Sequence, residues 1–538
     1  SKGMRDYLKQ LIPNDFEDIV SMNALYRPGA LGMNMVDSYI NRKHGKEEVT
    51  YGHESVQKIL GTTYGVIVYQ EQVMQIAQEL SGFSLGQADI LRRAMGKKKK
   101  EEMESLRSTF VDGAIKKDVN ERYAANLFDQ IEQFAGYGFN RSHSVGYALI
   151  AYQTAWLKAH YPSEFMASVL SCDLGNTDNI QLFVDDCKNI GLTVLSPDVN
   201  KSSYKFEDID TQTILYGLGA IKGIGESLVD KIVSERQIEE FKDMYDFSYR
   251  VGFNRINKRI LTTLIGSGAM DSLGKRQDLF RNIDSCLKSA EQASERTKSN
   301  IKDLFGEEII APQVNETNED IDFDEVSAEW SALGFYLDSH PLENKKKEVR
   351  HMCGFFISEL QSEAHNQRIA GCLMQFNVRQ GRRGRFAFAT LDDGSGKIEV
   401  SVWADVFEKY RHLLKKGQVL VVEGMIEKDE YSDSQRHKMI AEKILTFDEA
   451  RYEFVKSIKI DIEDTSDTKD IVQSLREIAN SNEGNSVMLS YTGNSAKADI
   501  ILPSNYSVKL DDISIRALDK RFGAENVQFV YHTQSHIN

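Results

Sequence analysis

The sequence predicts a multidomain chain of mixed class: a helical N-terminal part, a middle of small helices reached through a β-hairpin, a strand-rich barrel-like segment, and a small α/β part at the end. Three observations predict it. The chain has 538 residues, and one hydrophobic core rarely serves more than about 250, so three or four domains are expected. The apolar periodicity changes along the chain, from helical spacing before about residue 190 to short alternating strands after Arg368. Between these regions lies a stretch of one charge sign, which opposes burial and reads as an exposed spacer. An apolar content of 41% supports packed domains rather than disorder.

Taken in order, residues 1–165 read as helical. Tyr69, Val73, Ile76 and Leu80 are spaced four, three and four apart, one apolar helix face, with Gln70, Glu71, Gln72, Gln75 and Gln78 off it. Gly136 to Asn140 is a turn-rich break, and a helix follows from about Ser144 to His160, limited by Pro162. Residues 166–190 are helical again, and Gly191–Leu195 is a short strand before Pro197. Tyr204–Phe206 and Ile214–Tyr216 read as strands around a polar turn. Small helices run from Gly225 to about Leu287. From Arg368 to Phe447 short strands alternate around one helical stretch at Ala404–Leu414, and residues 455–532 follow the order βαβββαβ. No repeat at solenoid period is visible.

The formal charge of −15 has the wrong sign for a chain that meets a polyanion, but its distribution removes the conflict. Residues 303–344 hold twelve Asp or Glu and no Lys or Arg, which leaves 69 acidic against 66 basic residues elsewhere. Basic faces can then coexist with an acidic whole. The five cysteines (Cys172, Cys187, Cys286, Cys353, Cys372) show no CxxC spacing. That argues against a zinc site or a disulfide framework and fits buried thiols in a reducing cytoplasm. No run of 18 apolar residues exists to span a membrane, and Ser1–Arg5 leads into a helical pattern rather than a signal peptide.

Four dense polar-aromatic runs lie within the first 165 residues: Leu25–Gly29, Tyr64–Gln72, Leu91–Lys100 and Gly136–Ser144. They gather cations, amides, a hydroxyl-imidazole pair and flat rings, a mixture suited to a polyanion that carries aromatic bases. On a continuous helix Arg93 and Lys97 share a face. Guanidiniums grip phosphate oxygens bidentately and keep their proton, and a triphosphate requires such neutralisation. Asn140, Arg141, Ser142 and His143, following a Gly-Tyr-Gly turn, fit a loop that contacts a base or a triphosphate. Lys43, His44 and Lys46 are either phosphate contacts or an exposed basic loop, and Arg27 either meets nucleic acid or caps structure.

In this order the motifs resemble the fingers region of the bacterial replicative DNA polymerase III alpha subunit, a C-family polymerase. The resemblance is close over residues 1–205, weaker to about 450 and faint beyond. It implies a DNA-directed DNA polymerase, a nucleotidyltransferase whose primer 3′-hydroxyl attacks the α-phosphate of a dNTP. It also implies that Tyr69, Gln70, Arg92, Arg93, Lys97 and Asn140–His143 meet the dNTP, while Lys43, His44 and Lys98 meet primed DNA. In that family Mg²⁺ is held by aspartates of a palm that precedes the region resembling Ser1 onward. Asp208 with Asp210, and Asp320 with Asp322 and Asp324, have the right spacing but lack flanking apolar strands, so both sets are rejected as metal ligands. The chain is therefore expected to be a carboxy-terminal portion with no catalytic residue or metal ligand of its own, inactive alone, with any proofreading exonuclease contact through the missing regions.

Gly219–Gly225 followed by a helix resembles a helix-hairpin-helix element, in which Lys222, Gly223 and Gly225 bring a DNA phosphate to a helix N-terminus. Leu264–Gly268 is a weaker second copy. Ile301, Asp303, Leu304 and Phe305 resemble the family's sliding-clamp peptide, with two apolar anchors but without the usual leading Gln; the alternative is a short helix on the preceding domain. The strand-rich stretch resembles an OB-fold whose Arg379, Arg382, Arg383 and Arg385 suit single-stranded template, with Phe386 and Phe388 facing inward. The last 85 residues match only in position, where a contact with the clamp loader's tau subunit would sit. The expected divisions are a fingers region (1–205), a helix-hairpin-helix and clamp-binding domain (206–305), the acidic spacer with connecting helices (306–364), the OB-fold (365–450) and the α/β domain (451–538). The rival reading is a noncatalytic scaffold that binds DNA and clamp, which has no need of a triphosphate site. A third, an RNA-binding OB-fold factor, explains only residues 365–447.

Overall fold

A computed structural model describes the chain apart from residues 1, 98–99, 135–137, 253, 299–322, 339, 361–362, 429–436, 464–467, 480–483, 494–496 and 533–538. It divides into two compact units, Ser1–Phe165 and Met166–Asn538. The helical stretch over 166–190 belongs to the second of these units.

The first unit is helical throughout, as its periodicity predicts. Helix Gln70–Ser81 places Val73, Ile76, Ala77 and Leu80 in a core shared with Ala88, Leu91 and Ala94 of helix Leu85–Lys97 and with Phe110, Phe128 and Ile131. A second core gathers Val20, Leu25, Val36, Tyr39, Val68, Tyr69 and Ala148. Gln72 departs from expectation: it is buried, and its Oε1 accepts from the N–H groups of Val68 and Tyr69 at 2.9 and 3.0 Å while its Nε2 donates to Thr63 Oγ1 at 2.9 Å. An amide three residues into a helix can cap the chain that enters it, and this one works inside the core.

The second unit begins with strands β1 (Thr193–Leu195), β2 (Glu207–Asp210) and β3 (Thr213–Leu215), in the order β1-β3-β2. The hairpin forms, but its first strand lies later than Tyr204–Phe206: Phe206 is buried against Tyr216, with ring centroids 4.6 Å apart, and the polar stretch after it pairs with β3. Small helices follow, from Glu226–Arg236 to Ile283–Lys298.

Strands β4 (Ala364–Gly381), β5 (Gly384–Asp392), β6 (Lys397–Val402), β7 (Val419–Lys428) and β8 (His437–Thr446) close a barrel in the order β4-β5-β6-β8-β7. β4 can serve two neighbours because it is long, pairing with β7 through its first half and β5 through its second, with a register shift at Leu373/Gln375. Helix Ala404–Tyr410 stands between β6 and β7 and sends Phe407 and Tyr410 into the core. Gly424 is required where β7 crosses β8, since a Cβ there would lie 1.9 Å from Ile440 O. Closure of five strands with a helix after the third is the OB arrangement.

The terminal part holds β9 (Val455–Glu463), β10 (Ser486–Thr492), β11 (Lys497–Ile501) and β12 (Val527–Tyr531), with helices Thr468–Ile478 and Asp512–Phe522, in the order βαββαβ. The third middle strand of the sequence reading is reduced to one bridge between Asn485 and Val508. Buried Arg451 ties this part to its neighbours: it donates to Glu348 at 2.7 and 2.9 Å and to Asp512 at 2.6 Å. No helix among the described residues is long and apolar enough to cross a membrane.

Candidate nucleic-acid interface

Three of the four motif runs meet in the first unit. The Tyr69 and Phe139 segments form a parallel bridge: Gln70 N donates to Phe139 O at 3.0 Å, and Gln70 Nε2 donates to Gly138 O at 2.9 Å. Gly138 fits because a Cβ would lie 2.9 Å from the Gln70 side chain. Asn140 then caps helix Arg141–His160, accepting from His143 N at 2.8 Å, as expected of Asn at that position. Its Nδ2 donates to Glu71 Oε1 at 2.8 Å, and the same carboxylate accepts from Arg141 N at 3.1 Å. Asn140, Arg141, Ser142 and His143 are all exposed at this helix start. Arg141 pairs with Glu17, and His143 leans on Phe139 and Tyr147 with centroids 5.5 and 4.8 Å away. Arg27 joins the same place, its guanidinium 4.2 Å over the Phe139 ring and its Nε donating to Ala24 O.

Arg92 and Arg93 share one partner. Arg92 reaches Asp89 Oδ1 at 2.8 Å and Arg93 reaches Oδ2 at 2.7 Å, and the Arg92 hydrogen bond holds the Asp89 carboxyl below its usual range. Arg93 remains two-thirds exposed. The helix continues to Lys97, so Arg93 and Lys97 do stand one turn apart, while Lys98 lies outside the described residues.

Three residues take other places than the sequence suggested. Tyr69 is buried, its hydroxyl 3.1 Å from Ser21 Oγ, and burial pushes the phenol up to about 12. A ring packed in the core is not free to stack on a base. Lys43 is no loop cation: its ammonium is buried against Asp18 at 2.5 Å and also donates to Asn14 Oδ1 and Ile12 O. His44 ends the same helix, its Nε2 2.8 Å from Gln10 O. For Lys43 the cause is the Asp18 carboxylate, part of the capping box of helix Phe16–Leu25, which needs a countercharge once buried.

In the second unit the hairpin Ile221–Gly225 forms. Ile224 N donates to Ile221 O at 3.1 Å, and Gly223 takes φ +78°, a conformation that favours glycine. Gly225 is the N-cap of helix Glu226–Arg236, with no side chain to bond the first turn, and a Cβ there would meet open space. Ile221 and Ile224 are buried while Lys222, Gly223 and Gly225 are exposed, so the two glycines face outward, although the Lys222 N–H is taken by Ala332 O at 3.0 Å. The Lys222 side chain runs along Gly334, and burial lowers its pKa. The second copy at Leu264–Gly268 is a correction: the segment is buried, and Gly266 lies against the Ala328 backbone. A better counterpart, missed in the sequence, joins helix Met244–Val251 to helix Lys258–Gly266 through Gly252, at φ +99°, with Arg255 reaching Ser227 Oγ at 3.1 Å beside the first hairpin. The signal was Gly252 ahead of Arg255, Lys258 and Arg259.

On the barrel, Arg382 and Arg383 form the exposed tip of the β4–β5 hairpin, closed by the Gly381–Gly384 pair, and make no hydrogen bond or ion pair among the described residues. Arg385 pairs with Glu408 at 3.0 Å, and Arg379 stands 5.4 Å over the Phe388 ring. The inward reading of Phe386 and Phe388 is overturned: Ala387 and Ala389 point into the barrel, and both rings face out beside Trp403, which sequence reasoning missed. A five-stranded barrel has a narrow interior, and alanines fit it on this strand.

Asp208 and Asp210 lie on exposed β2, Asp324 caps helix Glu325–Leu333, and Asp320 and Asp322 are outside the described residues. No cluster of three or more His, Cys, Asp or Glu in metal-binding arrangement occurs among the described residues. Ile301, Asp303, Leu304 and Phe305 also lie outside them.

Family profiles match the chain in three places: residues 1–118 match the bacterial DNA polymerase III alpha subunit finger domain, 191–279 a helix-hairpin-helix motif, and 368–446 an OB-fold nucleic acid binding domain. DNA polymerase III subunit alpha of Pseudomonas fluorescens is 39% identical over 561 residues, covering 99% of this chain and 48% of that protein. The subunit of Escherichia coli K12 is 39% identical over 552 residues, covering 99% and 47%. That of Haemophilus influenzae is 39% identical over 523 residues, covering 93% and 44%. The chain spans about half the length of the curated relatives it matches.

Proposed function

We propose, from the premise that this chain belongs to the family of bacterial DNA polymerase III alpha subunits, that it is the nucleotide- and DNA-gripping part of a replicative DNA polymerase. The observation that carries the proposal is the junction of Gln70 with Gly138–Phe139, which presents an amide, a guanidinium, a hydroxyl and an imidazole together at one helix start. In this reading Arg92 and Arg93 exchange Asp89 for triphosphate oxygens as dNTP enters. A substrate of higher charge density wins that competition, and the carboxylate keeps the site closed to weaker anions. Asn140 and Arg141, steadied by Glu71, approach the base or sugar.

The hairpin at Ile221–Gly225 and the neighbouring Arg255 hold phosphates of the primed duplex, and the arginine hairpin of the barrel meets the single-stranded template. Leu304 and Phe305 anchor the chain to the sliding clamp. The terminal α/β part is a candidate contact for the clamp loader's tau subunit. The carboxylates that hold Mg²⁺, and any contact with a proofreading exonuclease, belong to the part of the relatives' length outside this chain. A cytoplasmic setting follows from the role.

Primer extension with Mg²⁺, by this chain alone and by a full-length protein carrying it, tests the reading. The full-length protein should extend a primed template, and the chain alone should bind it without adding nucleotides. Extension by the chain alone, or none by the full-length protein, would overturn the proposal.

A further inference from the structure

We propose that the outer wall of the barrel carries a base-stacking platform, made by Phe386, Phe388 and Trp403, that holds single-stranded DNA by its bases while the arginine hairpin beside it holds the phosphates. The inference rests on the nucleic-acid reading of the barrel given above and adds to it which residues take the bases.

The residues of β5 alternate strictly. Ala387, Ala389 and Leu391 are buried in the barrel, so Phe386 and Phe388 must stand on the opposite face, and both are half-buried there. Trp403 follows β6 directly and turns onto the same face, with 46% of its surface exposed. The three rings touch one another: centroids are 5.5 Å apart for Phe386–Phe388, 5.3 Å for Phe386–Trp403 and 6.2 Å for Phe388–Trp403. The Phe386 and Trp403 planes differ by 38°, whereas both contacts of Phe388 are near perpendicular. Half-buried rings on the outside of the barrel, packed on each other and beside Arg379, leave an apolar patch in water.

Charge complementarity names the occupant. Arg379 lies directly across from Phe386 in the β4–β5 register and over the ring of Phe388, so a cation flanks the patch. Arg382 and Arg383 extend past its end without partners among the described residues. Of the acids around the patch, Glu408 pairs with Arg385 and Arg411, Asp405 is exposed two residues past Trp403, and Glu399 stands opposite Thr390 on the outer face. Flat apolar faces bordered by free guanidiniums fit a ligand with alternating ring faces and phosphates. Only an unpaired strand exposes its bases to such a surface. A protein partner with an apolar face would not need the uncommitted cations.

Intrinsic fluorescence reads this surface locally. With Trp156→Phe removing the other exposed indole, oligo-dT should quench the emission of the full chain, and Trp403→Phe should abolish that quenching. Affinity should be compared for oligo-dT and for an abasic deoxyribose-phosphate strand of equal length. Trp403→Ala should weaken oligo-dT binding by roughly tenfold and leave both the abasic strand and the salt slope unchanged. Changing Arg382 and Arg383 to Ala should weaken both strands and reduce the slope. Unaltered quenching and affinity in the Trp403 variants would overturn the platform but leave the arginine hairpin standing. If neither set of changes alters binding of either strand, the nucleic-acid reading of the barrel itself falls. Binding of oligo-U with no binding of oligo-dT would overturn the assignment to DNA. Since Trp403→Phe keeps an aromatic ring in the cluster, it serves as the variant least expected to disturb folding, checked by an unchanged melting curve.

Discussion

Lys43 separates a structural ion pair from a DNA contact. Its ammonium is 2.5 Å from Asp18, with only 7% of the Lys43 side chain and 2% of the Asp18 side chain exposed. Lys43→Ala would leave that carboxylate buried, with the N–H groups of Asn14 and Asp15 at 3.1 and 3.2 Å and a long contact from Tyr39 as its remaining donors. Removing one member of a buried pair costs about 3–5 kcal/mol, against at most about 1 kcal/mol for an exposed pair. The first unit comprises 165 residues; at about 2.1 cal/mol/K of unfolding entropy per residue, such a loss lowers its melting temperature by about 9–14 °C. Calorimetry of the full chain should show this in one transition. Hydrogen exchange should report faster opening of helix Met35–Lys43 while the barrel strands stay unchanged. The double change Asp18→Asn with Lys43→Met should recover part of the loss, because no uncompensated charge remains. An unchanged transition, together with weaker DNA binding and a salt slope smaller by about one, would refute this reasoning and return Lys43 to the phosphate contacts.

Gly424→Ala should destabilise the barrel by about 2 kcal/mol or more through the clash with Ile440 O, read as an earlier melting transition with the first unit unaffected. Arg255→Ala should weaken binding to duplex DNA at low salt and reduce the salt slope, while changes at Gly266 should alter stability without altering that slope. Changing Leu304 and Phe305 together to Ala should abolish clamp-stimulated processivity in the full-length protein and spare short, clamp-free extension; persistent clamp binding by calorimetry would move the anchor elsewhere.

The helical first region, the turn at Gly223 and the barrel were legible because each depends on local rules: helical spacing, a glycine that supplies positive φ, and two-residue alternation. What the sequence hid depends on contacts between distant residues. Nothing near Lys43 signals that Asp18, 25 positions earlier, waits for it in the core. The Phe386–Phe388 alternation marked a strand, but which face points inward is decided by barrel curvature, and the small side chains went inside. Tyr69 looked like a ring offered to a base, yet Ser21 fixes its hydroxyl within the core. Two close glycines at Gly266 and Gly268 lie in a buried segment, whereas the helix pair beside the first hairpin is joined after Gly252, with Asn257 as the next helix cap. The junction of Gln70 with Gly138–Phe139, 68 residues apart, unites two motifs that sequence could only count separately.

The most direct test of the central claim is single-nucleotide incorporation by the full-length protein with Arg93→Ala. Arg93 is two-thirds exposed and, among the described residues, pairs with Asp89 at 2.7 Å, so its loss should leave folding and DNA affinity intact. The account predicts that kcat/KM for dNTP falls by roughly tenfold or more, equivalent to about 1.4 kcal/mol of transition-state stabilisation. Incorporation kinetics equal to those of the unaltered protein would contradict it.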